Sequence, residues 1–219
     1  MPIVSGKEHS VELADKEQLF QTKNRYRLEY MKLDDEKLST LSGKIYSEYN
    51  KGKSVVCVVN TIKTSKILYK KISEYTDKVF CLNSYMLPQD RKQVIQALTE
   101  QPLSNNVKNK ILISTQVIEA GIDLDFDIGF RESAPLSSII QTAGRVNREG
   151  FKQNTVVYIF DTLTSFCIYS DIQMNTTNRT LLERLKQEAV LEKDILTITD
   201  KYFKNLDFQL GNSEDKFLK

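Results

Sequence analysis

Histidine occurs once in these 219 residues, as His9, and tryptophan not at all. A lone histidine cannot build a multi-histidine metal site or a histidine-aspartate metallonuclease centre from the chain's own residues. The three cysteines, Cys57, Cys81 and Cys167, are widely spaced, and two fall in apolar strand-like runs. Neither a zinc ribbon nor a disulfide framework is indicated, and burial in a reducing cytoplasm is expected. No apolar run approaches the ~18 residues of a membrane span, and the leading residues lack a signal-peptide core, so the expectation is a cytoplasmic protein without membrane association. Net charge is only +2, from 31 basic and 29 acidic residues. Bulk electrostatics therefore cannot hold nucleic acid, and any such binding must be local. Glycine is scarce at eight residues, yet Gly121, Gly129, Gly144 and Gly150 cluster within 121–150, where the backbone is asked for something unusual.

What is present is enough for a core. Apolar residues make up 40% of the chain, including 10 Tyr and 10 Phe, against 27% charged. Such a composition folds rather than staying disordered. The length suits one substantial domain with an extension and is too short for two nucleotide-binding domains of ~150 residues each.

Residues 1–24 are polar and mixed and read as a lead-in with one helix around 11–21. Tyr26, Leu28 and Tyr30 alternate as in an edge strand. From Asp34, the residues Leu38, Leu41, Ile45 and Tyr46 recur at helical spacing, with Asp34 or Asp35 as a cap. Val55, Cys57 and Val59, with the valines between them, form a β-branched run that reads as a strand buried on both faces. A helix with Ile62, Leu68 and Ile72 follows, then a strand over 79–82 and a helix from Pro88 to about residue 100. Further strands are expected over 111–113, near 128–130 and over 156–160, with a helix holding Ile139 and Ile140 between the last two. Alternating strands and helices predict an α/β domain over 25–165 with a mainly parallel sheet. Residues 166–219 read as a helical extension and polar tail whose apolar face needs a partner surface.

Two motifs can be set aside. Gly52, Lys53 and Ser54 copy the end of a phosphate-binding loop, but position 47 is serine where the loop needs glycine, and the triplet precedes a strand instead of opening a helix. Asp123, Asp125 and Asp127 suggest a calcium loop, yet Ile128 stands at its sixth position, where glycine is required. The apolar residues between these aspartates read as the inward face of a strand approach.

The informative stretch is 113–150. A buried strand empties into Ser114, Thr115 and Gln116, with Glu119, Gly121 and Asp123 following, at the carboxyl edge where open α/β sheets bind ligands. About 20 residues on, Gln141 and Gly144 lead to Arg145 and Arg148, three apart on what begins as a helix and so on one face. Two guanidinium forks on one face suit polyphosphate, which each can chelate in a bidentate geometry.

At these residues the chain resembles the superfamily 2 helicases. Ser114, Thr115 and Gln116 through Asp123 are similar to motif V, and Gln141-x-x-Gly144-Arg145-x-x-Arg148 to motif VI. Val56 through Asn60 and Thr61 is similar to motif IV, and Leu82, Asn83 and Ser84 with Asp90 and Arg91 to the segment after it. More narrowly, Thr115-Gln116-x-x-Glu119 with Asp123-x-Asp125-Phe126-Asp127, and Ala143-Gly144-Arg145-Val146-Asn147-Arg148, resemble the CRISPR-associated helicase-nuclease of type I systems. That family often has His in place of Asn83, Arg in place of Thr142 and Ser in place of Gly121.

The resemblance implies a RecA-like fold and a set of roles. Arg145 and Arg148 would act as arginine fingers on ATP, and Gln141 would orient the nucleotide or the attacking water. Gly121, Asp123 and Gly144 would belong to the nucleotide site, with Asp123 on the ribose hydroxyl. Asn60, Thr61, Ser84, Thr115 and Gln116 would grip a single strand through its backbone, without reading sequence; helix capping or turn chemistry is the plainer alternative for Asn60, Ser84 and Thr115. The chain has motifs IV to VI but neither a phosphate-binding loop nor the acidic box that holds Mg²⁺. It is therefore expected to be the second half of a motor, inactive alone and completed by an amino-terminal RecA-like domain in cis or trans. Single-stranded DNA and a guide-RNA surveillance complex are the further partners implied. A different superfamily 2 helicase, acting on RNA or DNA, and a binding module without catalysis remain the alternatives.

Overall fold

The computed structural model of the protein describes residues 24–99, 109–119, 123–162 and 168–217, with 208–217 described by backbone alone. The helix expected over 11–21, together with His9, Gly121 and Cys167, lies outside the described residues.

Successive strand residues point to opposite sides of a sheet, so a strand apolar at every position needs cover on both faces. β2 (Val55–Val58) is such a strand, buried throughout, and β4 (Ile111–Ser114) is another. They pair in parallel, with Val55 opposite Ile111, and β2 pairs in parallel on its other side with β5 (Ile128–Glu132). With β1 (Arg27–Tyr30), β3 (Val79–Leu82), β6 (Val156–Phe160) and β7 (Val190–Leu191), the described residues form a seven-stranded sheet of order β3-β4-β2-β5-β6-β1-β7. Every pairing is parallel except that of β1 with β7.

The alternation sorts side chains into two cores. Val55, Cys57, Ile111, Ile113 and Phe130 pack with Leu41 and Ile45 of α1 (Lys37–Asn50) and with Leu68 and Ile72 of α2 (Ile62–Ser73). Val56, Val58, Leu112, Val157 and Ile159 belong to the other core, with Leu98 of α3 (Pro88–Thr99) and Ile139 and Ala143 of α4 (Leu136–Ala143). Local chemistry sets the helix starts. The Thr61 hydroxyl accepts the Thr64 N–H at 2.9 Å and caps α2, and α3 opens on Pro88, whose missing N–H is harmless in a first turn. α1 lacks the expected aspartate cap. Its leading residue, Glu36, makes no side-chain cap, and Asp34 instead accepts the Thr40 hydroxyl at 2.5 Å.

Two expectations change. β1 is not an edge strand, because β7 pairs with it antiparallel, Leu28 opposite Val190. Nor is the region after β6 purely helical: it runs through α5 (Asp171–Thr177), a π-helical turn (Asn178–Leu182), α6 (Glu183–Leu185), β7 and α7 (Ile195–Phe217). Leu181, Leu185, Val190, Ile195, Ile198 and Tyr202 join the core that contains Leu28 and Val157. The partner surface for the apolar face of the extension is the chain's own sheet.

Candidate functional site

Strands of a parallel sheet all end at one edge, and four of them bring polar residues there: β2 leads to Asn60, β3 to Asn83, β4 to Thr115 and β5 to Arg131 and Glu132. Arg131 is 0% exposed. A charge removed from water in this way persists only with close partners. Its Nη1 donates to Asn60 Oδ1 at 2.7 Å and to the Glu132 carbonyl at 2.9 Å. Its Nη2 lies 3.1 Å from the Tyr169 hydroxyl and 3.2 Å from Glu119 Oε1. Glu132, equally buried, accepts the Asn60 N–H at 2.7 Å and the Thr162 hydroxyl. Asn60 Nδ2 donates to the Ser133 carbonyl at 2.8 Å, and Gln116 Nε2 to the Tyr169 hydroxyl at 2.6 Å.

The residues expected to line a strand-binding edge thus differ in what they present. Asn60 and Gln116 are joined through Tyr169, with their amides bonded within the protein. Thr61 caps α2. Thr115 is buried, its N–H donating to the Leu82 carbonyl at 3.0 Å. Ser84 is exposed on the turn after β3. Sequence reasoning named neither Arg131 nor Tyr169. For Arg131 a signal existed, a charged Arg-Glu pair continuing directly from the apolar Ile128 and Phe130; Tyr169 had none, because only the fold-back of the extension brings it here.

The second part of the site is the loop after α4. Gln141 is exposed near the end of that helix, and Gly144 terminates it. Arg145 and Arg148 lie beyond it, which corrects the expectation that they share a helix face. Val146 forms a parallel bridge with Phe126: the Phe126 N–H donates to the Arg145 carbonyl at 3.0 Å, and the Asn147 N–H to the Phe126 carbonyl at 2.9 Å. Asn147 then turns left-handed at φ 50, which ends any helical course. Its buried Nδ2 donates to the carbonyls of Arg25 and Lys152, both at 2.7 Å. Arg25 is held in turn by Glu192, which accepts its N–H at 2.7 Å and its Nε at 2.9 Å. Gly144 has an ordinary helical φ of −64, so its backbone does not demand glycine. Gly129 does demand it: a Cβ there would stand 2.9 Å from Val146 Cγ2 and 3.2 Å from Val157 Cγ1. Its bare backbone is what lets Val146 seat against β5.

From this loop Arg145 Nη2 donates to the Glu119 carbonyl at 2.9 Å, and Arg148 Nη1 pairs with Asp123 Oδ1 at 3.2 Å. Burial, and then the positive charge of Arg148, lower the pKa of Arg145 from its usual value, while Asp123 opposes the change. Guanidinium groups close enough to repel each other make a place that favours an anion. Asp125 and Asp127 do more than approach a strand. Both bind Lys152, at 2.8 and 2.9 Å, and they also accept the N–H groups of Arg148 and Ser54 at 2.7 and 2.6 Å. Glu119 links the two parts, its carbonyl holding Arg145 and its carboxylate Arg131. Burial raises the pKa of Glu119, with Arg131 the first of the opposing influences.

A mainly parallel sheet flanked by helices, with a basic loop following its fifth strand, defines a class by fold, the RecA-like domains. Residues 51–150 match the family model described as CRISPR-associated nuclease/helicase Cas3, C-terminal. The chain is 31% identical over 157 residues to the CRISPR-associated nuclease/helicase Cas3 of Methanothermobacter thermautotrophicus, which covers 69% of this chain and 18% of that protein. The crystal structure of T. fusca Cas3 with ADP superposes with a TM-score of 0.67 at 17% identity, over 89% of this chain and 26% of the other. A CRISPR RNA-guided surveillance complex in its pre-nicking state contains a chain that matches at a TM-score of 0.66 and 19% identity, over 88% of this chain and 27% of that one. The protein carries a superfamily 2 helicase carboxy-terminal domain near that of Cas3. It spans about a fifth of the length of the curated relative and about a quarter of the solved chains. No helix among the described residues is long and apolar enough to cross a membrane.

Proposed function

We propose that the chain is the second motor domain of an ATP-dependent DNA translocase of CRISPR type I interference. The observation that carries this reading is the Arg145 and Arg148 pair, set on one loop that Val146 seats on β5, with Arg148 on Asp123 and its charge acting on Arg145. Such a pair fits a polyphosphate, which would relieve the repulsion. Bound ATP would supply the phosphoryl group for transfer, and Mg²⁺ would be held by the amino-terminal motor domain. In this reading Arg145 and Arg148 stabilise the charge that develops on the phosphoryl group. Gln141 orients nucleotide or water. Gly121 and Gly144 belong to the nucleotide site by their motifs, and Asp123 contacts the ribose hydroxyl, exchanging its pairing with Arg148 for it. Ser84 and Thr61 line the single-strand side, with Asn60, Thr115 and Gln116 fixing that edge from within. The partners are a first RecA-like domain, single-stranded DNA and a guide-RNA surveillance complex.

The test is DNA-stimulated ATP hydrolysis by this chain mixed with the matching amino-terminal motor domain. Activity is expected only in the mixture, and Arg145→Ala or Arg148→Ala should each lower it about a thousandfold. Turnover by the 219-residue chain alone, or full activity in both variants, would refute the half-motor reading.

A further inference from the structure

The turn between β3 and α3 exposes apolar groups that no core requires. Tyr85 is 83% exposed and Leu87 67%, the former among the barest large side chains of the described residues. The turn is nonetheless built. Asn83, 5% exposed at the exit of β3, accepts the Tyr85 N–H on its Oδ1 at 3.1 Å and the Met86 N–H on its carbonyl at 3.3 Å. This asparagine turn projects residue 85 outward from a fixed base. Met86, next to it, packs on the core and anchors the turn from the other side.

Two helices that start at this edge carry exposed lysines in their first turns, beside the exposed Asp90 of α3. Lys63 and Lys66 are exposed on the first turns of α2, and the charge of Lys66 acts on the thiol of Cys81 in β3, which places it beside the strand that leads to the turn. Lys92 is exposed on the first turns of α3, next to Arg91, whose buried Nε has no hydrogen-bond partner. Among the described residues, Lys63, Lys66 and Lys92 have no ion-pair partner. Ser84 adds an exposed hydroxyl. An exposed aromatic ring next to a hydroxyl, on an edge where the helix starts carry lysines, suits a ligand that alternates anionic and planar groups, and a single-stranded nucleic acid does so. A protein surface with an apolar patch would leave the cations unmatched.

We infer that Tyr85 is a base-stacking platform, on which one base of a single strand lies while Lys63, Lys66 and Lys92 hold the flanking phosphates. This rests on the single-strand part of the proposed function and adds to it the residue that meets a base. Stacking on an aromatic face tolerates any sequence, in keeping with a motor that must pass over all of them.

The absence of tryptophan from the chain makes the test direct. Tyr85→Trp, at so exposed a position, places a single indole where the base should lie, and its emission is read in the full 219-residue chain. Titration with oligothymidylate should quench it strongly, whereas inorganic tripolyphosphate should not. By fluorescence anisotropy of a labelled oligothymidylate at low salt, Tyr85→Ala should bind about tenfold more weakly than the parent, and Tyr85→Phe like the parent. If the oligonucleotide binds with unchanged indole emission and Tyr85→Ala binds like the parent, stacking is wrong while the single-strand reading stands. Quenching by tripolyphosphate equal to that by oligothymidylate would also overturn it. If the parent chain binds no oligonucleotide at low salt, the single-strand reading fails and the platform with it, leaving the turn as a protein-docking element.

Discussion

Removing the guanidinium of Arg131 would leave the largely buried Glu119 carboxylate without its cation and the Asn60 Oδ1 and Glu132 carbonyl without that donor. Breaking a buried ion pair from one side typically costs about 3–5 kcal/mol, so Arg131→Met should lower stability by that order in urea unfolding. The pH dependence has a definite sign. The folded-state pKa of Glu119 is raised above its usual 4.5, so its contribution to stability is complete below that value and is lost as pH rises through the folded pKa. Arg131 is the first influence that holds this pKa down, and without it the loss extends further up the scale. The destabilisation of Arg131→Met should therefore be larger near pH ~8 than near pH ~5. Equal effects at both would mean that Glu119 does not feel Arg131. Asn60 loses a direct donor in the same variant, and Tyr169, which bonds Asn60 and Gln116, loses a neighbour, so its oligonucleotide affinity should fall along with its stability.

The contact between Gly129 and Val146 governs a whole element, the loop of the two arginines. An alanine at 129 would press its Cβ to 2.9 Å from Val146 Cγ2. Overpacking of that kind costs roughly 1–3 kcal/mol and moves backbone. Gly129→Ala should lower both the unfolding free energy and the ATP hydrolysis of the mixture with the first motor domain, and adding Val146→Ala should restore part of each. A coupling below about 0.5 kcal/mol in the double-mutant cycle would show that the two side chains do not meet. This element also marks how far the sequence could be read. β2, β4 and β6 lie within a residue of expectation, since continuous apolar runs admit only a strand with cover on both faces. The end of α4 could not be read, because the bridge that stops it comes from Phe126, far back in the chain. The motif residues were legible as a pattern. Their wiring was not, since Arg131, Glu119, Asn60 and Tyr169 come from four separate segments that only the sheet order brings together.

For the molecule as a whole, the extension after β6 decides whether the sheet is a stable body. Leu181, Leu185, Ile195, Ile198 and Tyr202 are each at most 4% exposed and complete one of the two cores. Each such burial contributes about 1.5–3 kcal/mol, and together they match the whole stability of an ordinary domain, about 5–15 kcal/mol. A chain ending at residue 165 should show no cooperative thermal transition by circular dichroism, with β1 left as a bare edge prone to pairing with other chains. A melt like that of the full chain would make the extension a mere appendage. Arg25, finally, is where three distant parts of the chain are fastened at one residue: the start of β1, the arginine loop through Asn147 and the extension through Glu192. A shift of Arg25 would strain its bonds to the arginine loop and to the extension together, so the three segments are tied at one point.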